Sequence, residues 1–522
     1  MIFCVKFIGA DISGVPQTLL FSTVGFTTKP TDTPANTVSR ERLIQPANFF
    51  REISSGKSVF GEISTSFGES VLNNSDGKLD YLTNYAFGWR SFELYVADDI
   101  APFPSGWDLL LKATMDQVTF DEDVIRIRLR DRWSELSNTI CNNKYTGTGG
   151  VNGGSELTGK KKQKVFGKCY NVEPVLLDKA NQIYQMSDST KVYFYRVRDK
   201  GDILSPGTAR TSYADLVANT PSAGSFDYWH DGAMFRLGSP SVGIINCDII
   251  KYNTTTANIF TDNDCYMGEV IKQIAIAGGV PSGDINSSDV AALTDGGREY
   301  GFVARDDDAA SESISKIAQS SCVFVGFDRL GVLRMQNIIQ PSAGTSVATL
   351  STYNSRNLRC ITNGDVTSLP VKSVTMNYPK NWTIMGSGDL ATSVPSSGYF
   401  QVNSEFPYST TTTVSTRHLN SKDLIVDVYT GAYVTTTVGV GDLIAGSGVS
   451  ISKFVTLFGT DRQWFELDVP FRKDTLTVLD LNKIVTLVWD RYGLSSGKQM
   501  LIVGIRYDFS SSDPYVKLTL WG

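Results

Sequence analysis

Short runs of alternating apolar and polar residues dominate the chain. Val124 to Arg130 (VIRIRLR) is the clearest: Ile125, Ile127 and Leu129 form one face, and Arg126, Arg128 and Arg130 the other. Met1 to Ile8 alternates in the same way, and a second strand follows the turn Ser13-Gly14-Val15-Pro16. Thr27 to Pro46 is polar and proline-spotted, which predicts an extended arm or loop. Val59 to Val96 then reads strand, turn, short helix, strand, and predicts a packing unit. Its turn is Asn73 to Gly77, and its helical residues are Leu79, Leu82, Tyr85 and Ala86. Phe92, Leu94 and Val96 form the inner face of its last strand. Further strands are predicted over Asp108 to Thr119, within Val165 to Gln185, at Lys191 to Arg198 and at Met234 to Gly238. Asp199 to Asp202 is a predicted turn and Ser212 to Ala218 a short helix.

Near residue 260 the period changes. Met267, Val270, Ile271, Ile274 and Ala275 predict an amphipathic helix, with Thr261 and Asp264 spaced as a capping box and Gly278-Gly279-Val280-Pro281 as its stop. A second helix is predicted from Asp307 to Ser320, then a hairpin over Val323 to Met335 turning at Asp328 to Gly331. Beyond Thr349 the pattern is β again: Val371 to Tyr378, Ser409 to Thr416, Asp423 to Tyr429, the alternation around Leu476 and Val478, and Ile484 to Trp489. Gln499 to Arg506 and Tyr515 to Trp521 follow, the last expected to close a sheet. The reading is mainly β and multidomain: a β domain with an extended arm (1–145), a Gly-rich loop and second β region (146–255), an α+β module (256–345) and a C-terminal β domain (346–522).

Composition narrows the classes. Of 522 residues, 41% are hydrophobic and 20% charged, and the 46 glycines and 11% aromatics suit short strands and turns. The net charge of −6 supplies no broad basic field for nucleic acid. Seven cysteines, odd in number and without a CxxC, point to reduced buried thiols rather than a disulfide framework or zinc site. No run approaches the roughly eighteen apolar residues of a membrane span. The single early Lys6 lies inside its apolar run, unlike a signal peptide.

Candidate chemistry is sparse. Gly154 to Lys161 fits G-x-x-x-x-G-K but places Lys161 where a P-loop needs Ser or Thr, no buried parallel strand precedes it, and Pro174 follows closely. A flexible loop with a solvated basic run, Lys160-Lys161-Lys162-Gln163-Lys164, is the plainer reading. The arginines of Val124 to Arg130 could hold phosphate, yet no stacking aromatic is interleaved, so a wet or partner-facing sheet surface is expected. Asp306-Asp307-Asp308 suits a helix N-terminus better than a metal. Only His230 and His418 exist, and His230 in Tyr228-Trp229-His230-Asp231 reads as a satisfied loop histidine. Hydrolase and EF-hand patterns are absent, although a glycosidase carboxylate pair needs no local motif.

Several short motifs recur in a set order. Leu72, Asn74, Asp76, Gly77, Leu79 and Asp80 read L-x-N-x-D-G-x-L-D, and Tyr85, Ala86, Phe87 and Arg90 read Y-A-F-x-x-R. Asp131-Arg132, the glycines of Gly147 to Gly154, Leu157 to Lys160 and Val165 to Leu177 (VFGKCYNVEPVLL) come next. Ile183 to Gln185, Phe235 to Gly238, Gly278 to Pro281, Phe327 to Gly331 and Leu518 to Gly522 complete the series. In this order the chain resembles the tail-tip or baseplate hub proteins of tailed bacteriophages and prophages, the hub of contractile tails. It departs from them after the lysines, where Gln163 and Lys164 occupy the region of a usual proline.

The resemblance implies tube-like β-barrel domains with a small α+β module inserted. It implies a homotrimeric ring at the virion tail tip, assembled in the host bacterial cytoplasm. The ring joins the tail tube and distal tail protein to the central spike or fibre and contacts the tape-measure protein. It implies a structural protein, not an enzyme, with no cofactor, metal, membrane insertion or specific nucleic acid. Gly149, Gly150, Gly153, Gly154, Lys160, Lys161 and Lys162 of the Gly-rich loop, with Arg126, Arg128 and Arg130, are the candidate subunit interface. Two alternatives stay open: a hexameric distal-tail ring protein, and a glycan-binding or cell-wall-degrading tail component.

Overall fold

The computed structural model describes residues 1–53, 61–188, 191–251, 263–294, 299–361, 370–378, 380–394, 404–409, 412–429, 451–472, 478–509 and 514–522. Val59, Phe60, Thr261 and Leu476, used in the sequence reading, lie outside these.

The chain is mainly β and is organised in several sheets. The N-terminal alternation produces the centre of a nine-stranded one. In Ile2–Ala10 the residues Phe3, Val5 and Phe7 face the principal core, and Cys4 faces a smaller cluster with Tyr95, Phe103 and Trp107. This strand pairs antiparallel with Pro16–Ser22 on one side and Ser91–Ala97 on the other, and the sheet continues through Asp108–Phe120, Val124–Arg130 and Glu69–Asn73. The polar segment after Thr27 is not a projecting arm. Its strand Val38–Glu41 pairs with Pro16–Ser22, and Leu43–Gln45 pairs with Glu69–Asn73 at the opposite end of the sheet. Only Arg42 separates the two. Its N–H donates to Ser22 (3.1 Å) and its carbonyl accepts from Asn73 (2.7 Å), so the hydrogen-bond path around the sheet returns on itself there. The Arg42 guanidinium also grips Asp76 at 2.8 and 2.7 Å, which ties the Asp76-Gly77 turn to the point of closure.

Val59 to Val96 is therefore no self-contained unit. Ser64–Phe67 pairs with Phe49–Glu52, which is itself inserted against Lys498–Asp508 of the C-terminal eight-stranded sheet. Gly61–Glu62 pairs with Val323–Phe327. The short helix expected through Leu79, Leu82, Tyr85 and Ala86 is a 3₁₀ turn, Asp80–Asn84, which buries Leu82 and ends before Tyr85. In the C-terminal sheet Tyr515–Trp521 lies inside, between Lys498–Asp508 and Trp464–Pro470, rather than at an edge.

The two expected helices run over Met267–Ala277 and Ala310–Gln319 and bury Val270, Ile271, Ile274, Ile314 and Ile317. The first is capped by Tyr266, without a side-chain hydrogen bond, and ends at Gly278 as expected. Among the described residues three further α-helices were not expected: Ser287–Ala292, Ile451–Phe458, despite its apolar residues at helical spacing, and Thr412–Arg417. The last replaces the end of a predicted strand. Its β-branched residues favour extended chain, but propensity yields to tertiary context where Val414 is buried.

The insertion of Phe49–Glu52 sets a pH dependence. Glu52 lies opposite Gly504, whose partner Thr519 in turn faces Glu466, so two carboxylates flank a row of small residues. Burial first, then the charge of Glu466, pushes the Glu52 carboxyl up to about 7, with Arg506 opposing. The folded state prefers the protonated acid. The stability this confers is therefore complete below the ordinary value of 4.5 and is lost as pH rises through 7. Urea midpoints at pH 5 and pH 8 should differ less in Glu52→Gln than in the parent; an unchanged difference would exclude Glu52 as the cause.

Candidate assembly surface

The Gly-rich loop is held by its own backbone. Tyr145 donates to the Lys160 carbonyl and accepts from Gly159, both at 2.9 Å, and Gly149 donates to Gly153 at 2.8 Å. Gly149, Gly150 and Gly153 have φ of 86°, 60° and 68°, which only glycine adopts readily, whereas Gly154 is extended at −70°. Inside the loop Tyr145 and Leu157 are buried against Leu177, Ile183, Leu216 and Met234, and the Tyr145 hydroxyl donates to Gln185 at 2.8 Å. The flexible loop expected from composition is thus a pinned one. Behind Lys161 the chain enters the strand Lys164–Val172, not a helix, so no phosphate cradle forms.

The three lysines differ. Lys160 is exposed. Lys161 pairs with Asp307 at 2.6 Å, and Lys162 lies 4.9 Å over the Tyr145 ring. The arginines of Val124–Arg130 are each matched by acids, two of them by one carboxylate. Arg126 binds Glu69 at 2.7 Å and Asp121 at 3.0 Å, Arg128 lies 3.9 Å from Asp116, and Arg130 lies 4.0 Å from the same carboxylate. Arg130 also stacks 4.0 Å over Trp89, an exposed ring that the sequence reading missed. Its only signal was its place in the Tyr85 to Arg90 box. The arginine face is a charge-compensated surface with an aromatic at one end, and it shares no partner with the loop lysines.

Asp307 serves Lys161, and Asp308 accepts from the Arg305 N–H at 2.8 Å. The helix behind them is capped by Ala309, so the acids precede it rather than fill its first turn. Among the described residues no group of three or more His, Cys, Asp or Glu is arranged to hold a metal. His230 shares a hydrogen bond between Nδ1 and the Val192 carbonyl at 2.8 Å, and burial lowers its pKa. His418 lies 3.3 Å from Asp461. Six of the seven cysteines are buried; burial pushes the Cys4 thiol up to about 12 and Cys141 to about 11. Among the described residues no helix is long and apolar enough to cross a membrane.

No family model matches the chain, and no curated protein matches it in sequence. Among solved structures it is similar to the 43 kDa tail protein of prophage MuSo2 from Shewanella oneidensis (11% identity, 100% of this chain and 98% of that one, TM-score 0.40). It is also similar to a tail protein from Neisseria meningitidis (9%, 100% and 96%, TM-score 0.38). A third is the prophage tail protein gp18 from Listeria monocytogenes (7%, 98% and 94%, TM-score 0.34). Over its whole length, then, the chain is similar to solved tail proteins of bacteria and their prophages.

Proposed function

We propose that this chain is a structural component of a phage-type tail, a tip or baseplate hub that joins the tail tube and distal tail protein to the central spike or fibre. The observation that carries the reading is the ordered series of hub-like motifs from Leu72 to Gly522. The places those motifs occupy suit a scaffold: Asp76 anchors the sheet closure, Asp328 accepts from the Leu330 and Val332 N–H groups to shape its hairpin, and Leu518 to Trp521 lies inside the last sheet. The assembly is a homotrimeric ring, held by geometry rather than chemistry. Electron microscopy of the purified chain, with its mass in solution, tests this. A closed ring of three with an open channel supports it, a ring of six replaces it with a distal-tail ring, and a persistent monomer overturns it.

The Gly-rich loop is the proposed joint between subunits. Deleting it would remove Leu157 from its cluster, so charge reversal is the cleaner test. Lys160→Glu with Lys162→Glu spares the Lys161–Asp307 pair and should leave a soluble, folded chain that enters tails at a small fraction of the parent level. Normal incorporation, read by immunoblot of purified particles, would remove the loop from the interface.

A further inference from the structure

The five-stranded sheet centred on Ile245–Lys251 carries a cavity of about 130 Å³ on one face, apart from both candidate patches. Three adjacent strands build it. Lys168 and Tyr170 come from Lys164–Val172, Asp248 and Ile250 from the middle strand, and Tyr193 and Tyr195 from Val192–Asp199. The register sets Lys168, Ile250 and Tyr193 in one row, and Arg196 faces Asp248 in the next. A bulge between Phe194 and Arg196 breaks the alternation at Tyr195, and both Tyr193 and Tyr195 line the cavity.

The walls are preformed. The Tyr193 ring stacks on His230 at 5.3 Å and 20°, and His230 is itself fixed by Val192 and by Tyr228 at 4.6 Å. Lys168 is held by Glu299. On the floor, Asp248 is 1% exposed and is gripped by Arg198. Burial raises the phenol pKa of Tyr170 and Tyr193, so both present neutral hydroxyls. The two ionic groups that line the cavity are each already paired, Lys168 with Glu299 and Asp248 with Arg198, so an ionic ligand would have to compete with those pairs. What is offered is aromatic face, neutral hydroxyl and small volume.

We propose that this cavity binds one neutral pyranose unit of a glycan, its C–H face against Tyr193 and Tyr195 and its hydroxyls toward Tyr170 and Lys168. Rigid tyrosine faces suit this because an apolar C–H surface packs on them at low entropic cost. The proposal adds a ligand to the structural role and does not depend on it.

Saturation-transfer NMR on the full chain, with maltoheptaose, cellohexaose, galactan fragments and chitohexaose as probes, tests it. At least one probe should receive saturation at its ring C–H protons, and Tyr193→Ala with Tyr195→Ala should weaken binding about tenfold or more. Tyr195 is 44% exposed, so Tyr195→Ala alone should fold normally and still lose signal. Absence of transfer to every probe, or transfer undiminished in a folded Tyr195→Ala chain and in the double variant, would overturn the proposal.

Discussion

Replacing Arg198 with alanine should lower stability by about 3–5 kcal/mol, the range for stranding one member of a buried ion pair. Arg198 and Asp248 are 2% and 1% exposed, and their Nη1–Oδ1 contact is 2.9 Å. The pair joins the strands Val192–Asp199 and Ile245–Lys251, and Asp248 also accepts the Asn171 N–H at 3.2 Å, so three strands meet on one carboxylate. Arg196, 3.9 Å away and half-buried, recovers only part of the loss. Removing both charges together, as Arg198→Met with Asp248→Leu, should cost less than the single change, because no charge is left unpaired. Urea denaturation with unchanged slope and a shifted midpoint is the readout. A double variant no better than Arg198→Ala would show that packing, not the unpaired carboxylate, governs the site.

Gly167→Ala should be at least as damaging, at about 4 kcal/mol or more, and is expected to yield little soluble protein. Gly167 has φ 63°, where an L-residue is strained by about 1–2 kcal/mol. A Cβ there would also stand 2.1 Å from the Tyr300 carbonyl oxygen and 2.8 Å from Val270. The carbonyl belongs to the chain leading into the paired strand Gly301–Ala304 and cannot rotate away as a side-chain tip would. Gly149 is the control. Its φ is 86° and ψ 177°, a conformation close to glycine-only, with no atom within 4 Å, so Gly149→Ala should show the backbone strain alone, about 1–3 kcal/mol. Equal losses in thermal unfolding of the two variants would contradict the steric argument.

Much of the local structure was legible in the residues. Ile125, Ile127 and Leu129 are buried as their alternation requires, and the arginines between them lie on the other face. Asp328 to Gly331 turns its hairpin, and the periodic apolar residues of Met267–Ala277 and Ala310–Gln319 meet the core. The candidate site was legible as residues but not as an arrangement. The glycines announced a loop, yet not that Tyr145 and Leu157 would pin it, since their contacts at Leu177, Ile183, Leu216 and Met234 lie far along the chain. The Tyr170, Tyr193 and Tyr195 cavity left no trace at all, because its walls meet only when separate strands pair.

Alternation and turn chemistry are local properties, so the sequence by itself determined the clearest strands and helices and their apolar faces, though not strands such as Ser346–Leu350 or the helix Thr412–Arg417. It could not say which strand pairs with which. Any apolar face can be satisfied by many partners, and a loop's closure entropy rises only slowly with its length, so near and distant partners compete on almost equal terms. Only the tertiary structure decided that Phe49–Glu52 belongs against Lys498–Asp508, that Trp89 lies beneath Arg130, and that Arg42 carries one sheet back onto itself. Side-chain packing and backbone hydrogen bonds select among those pairings, and they exist only once the chain has closed.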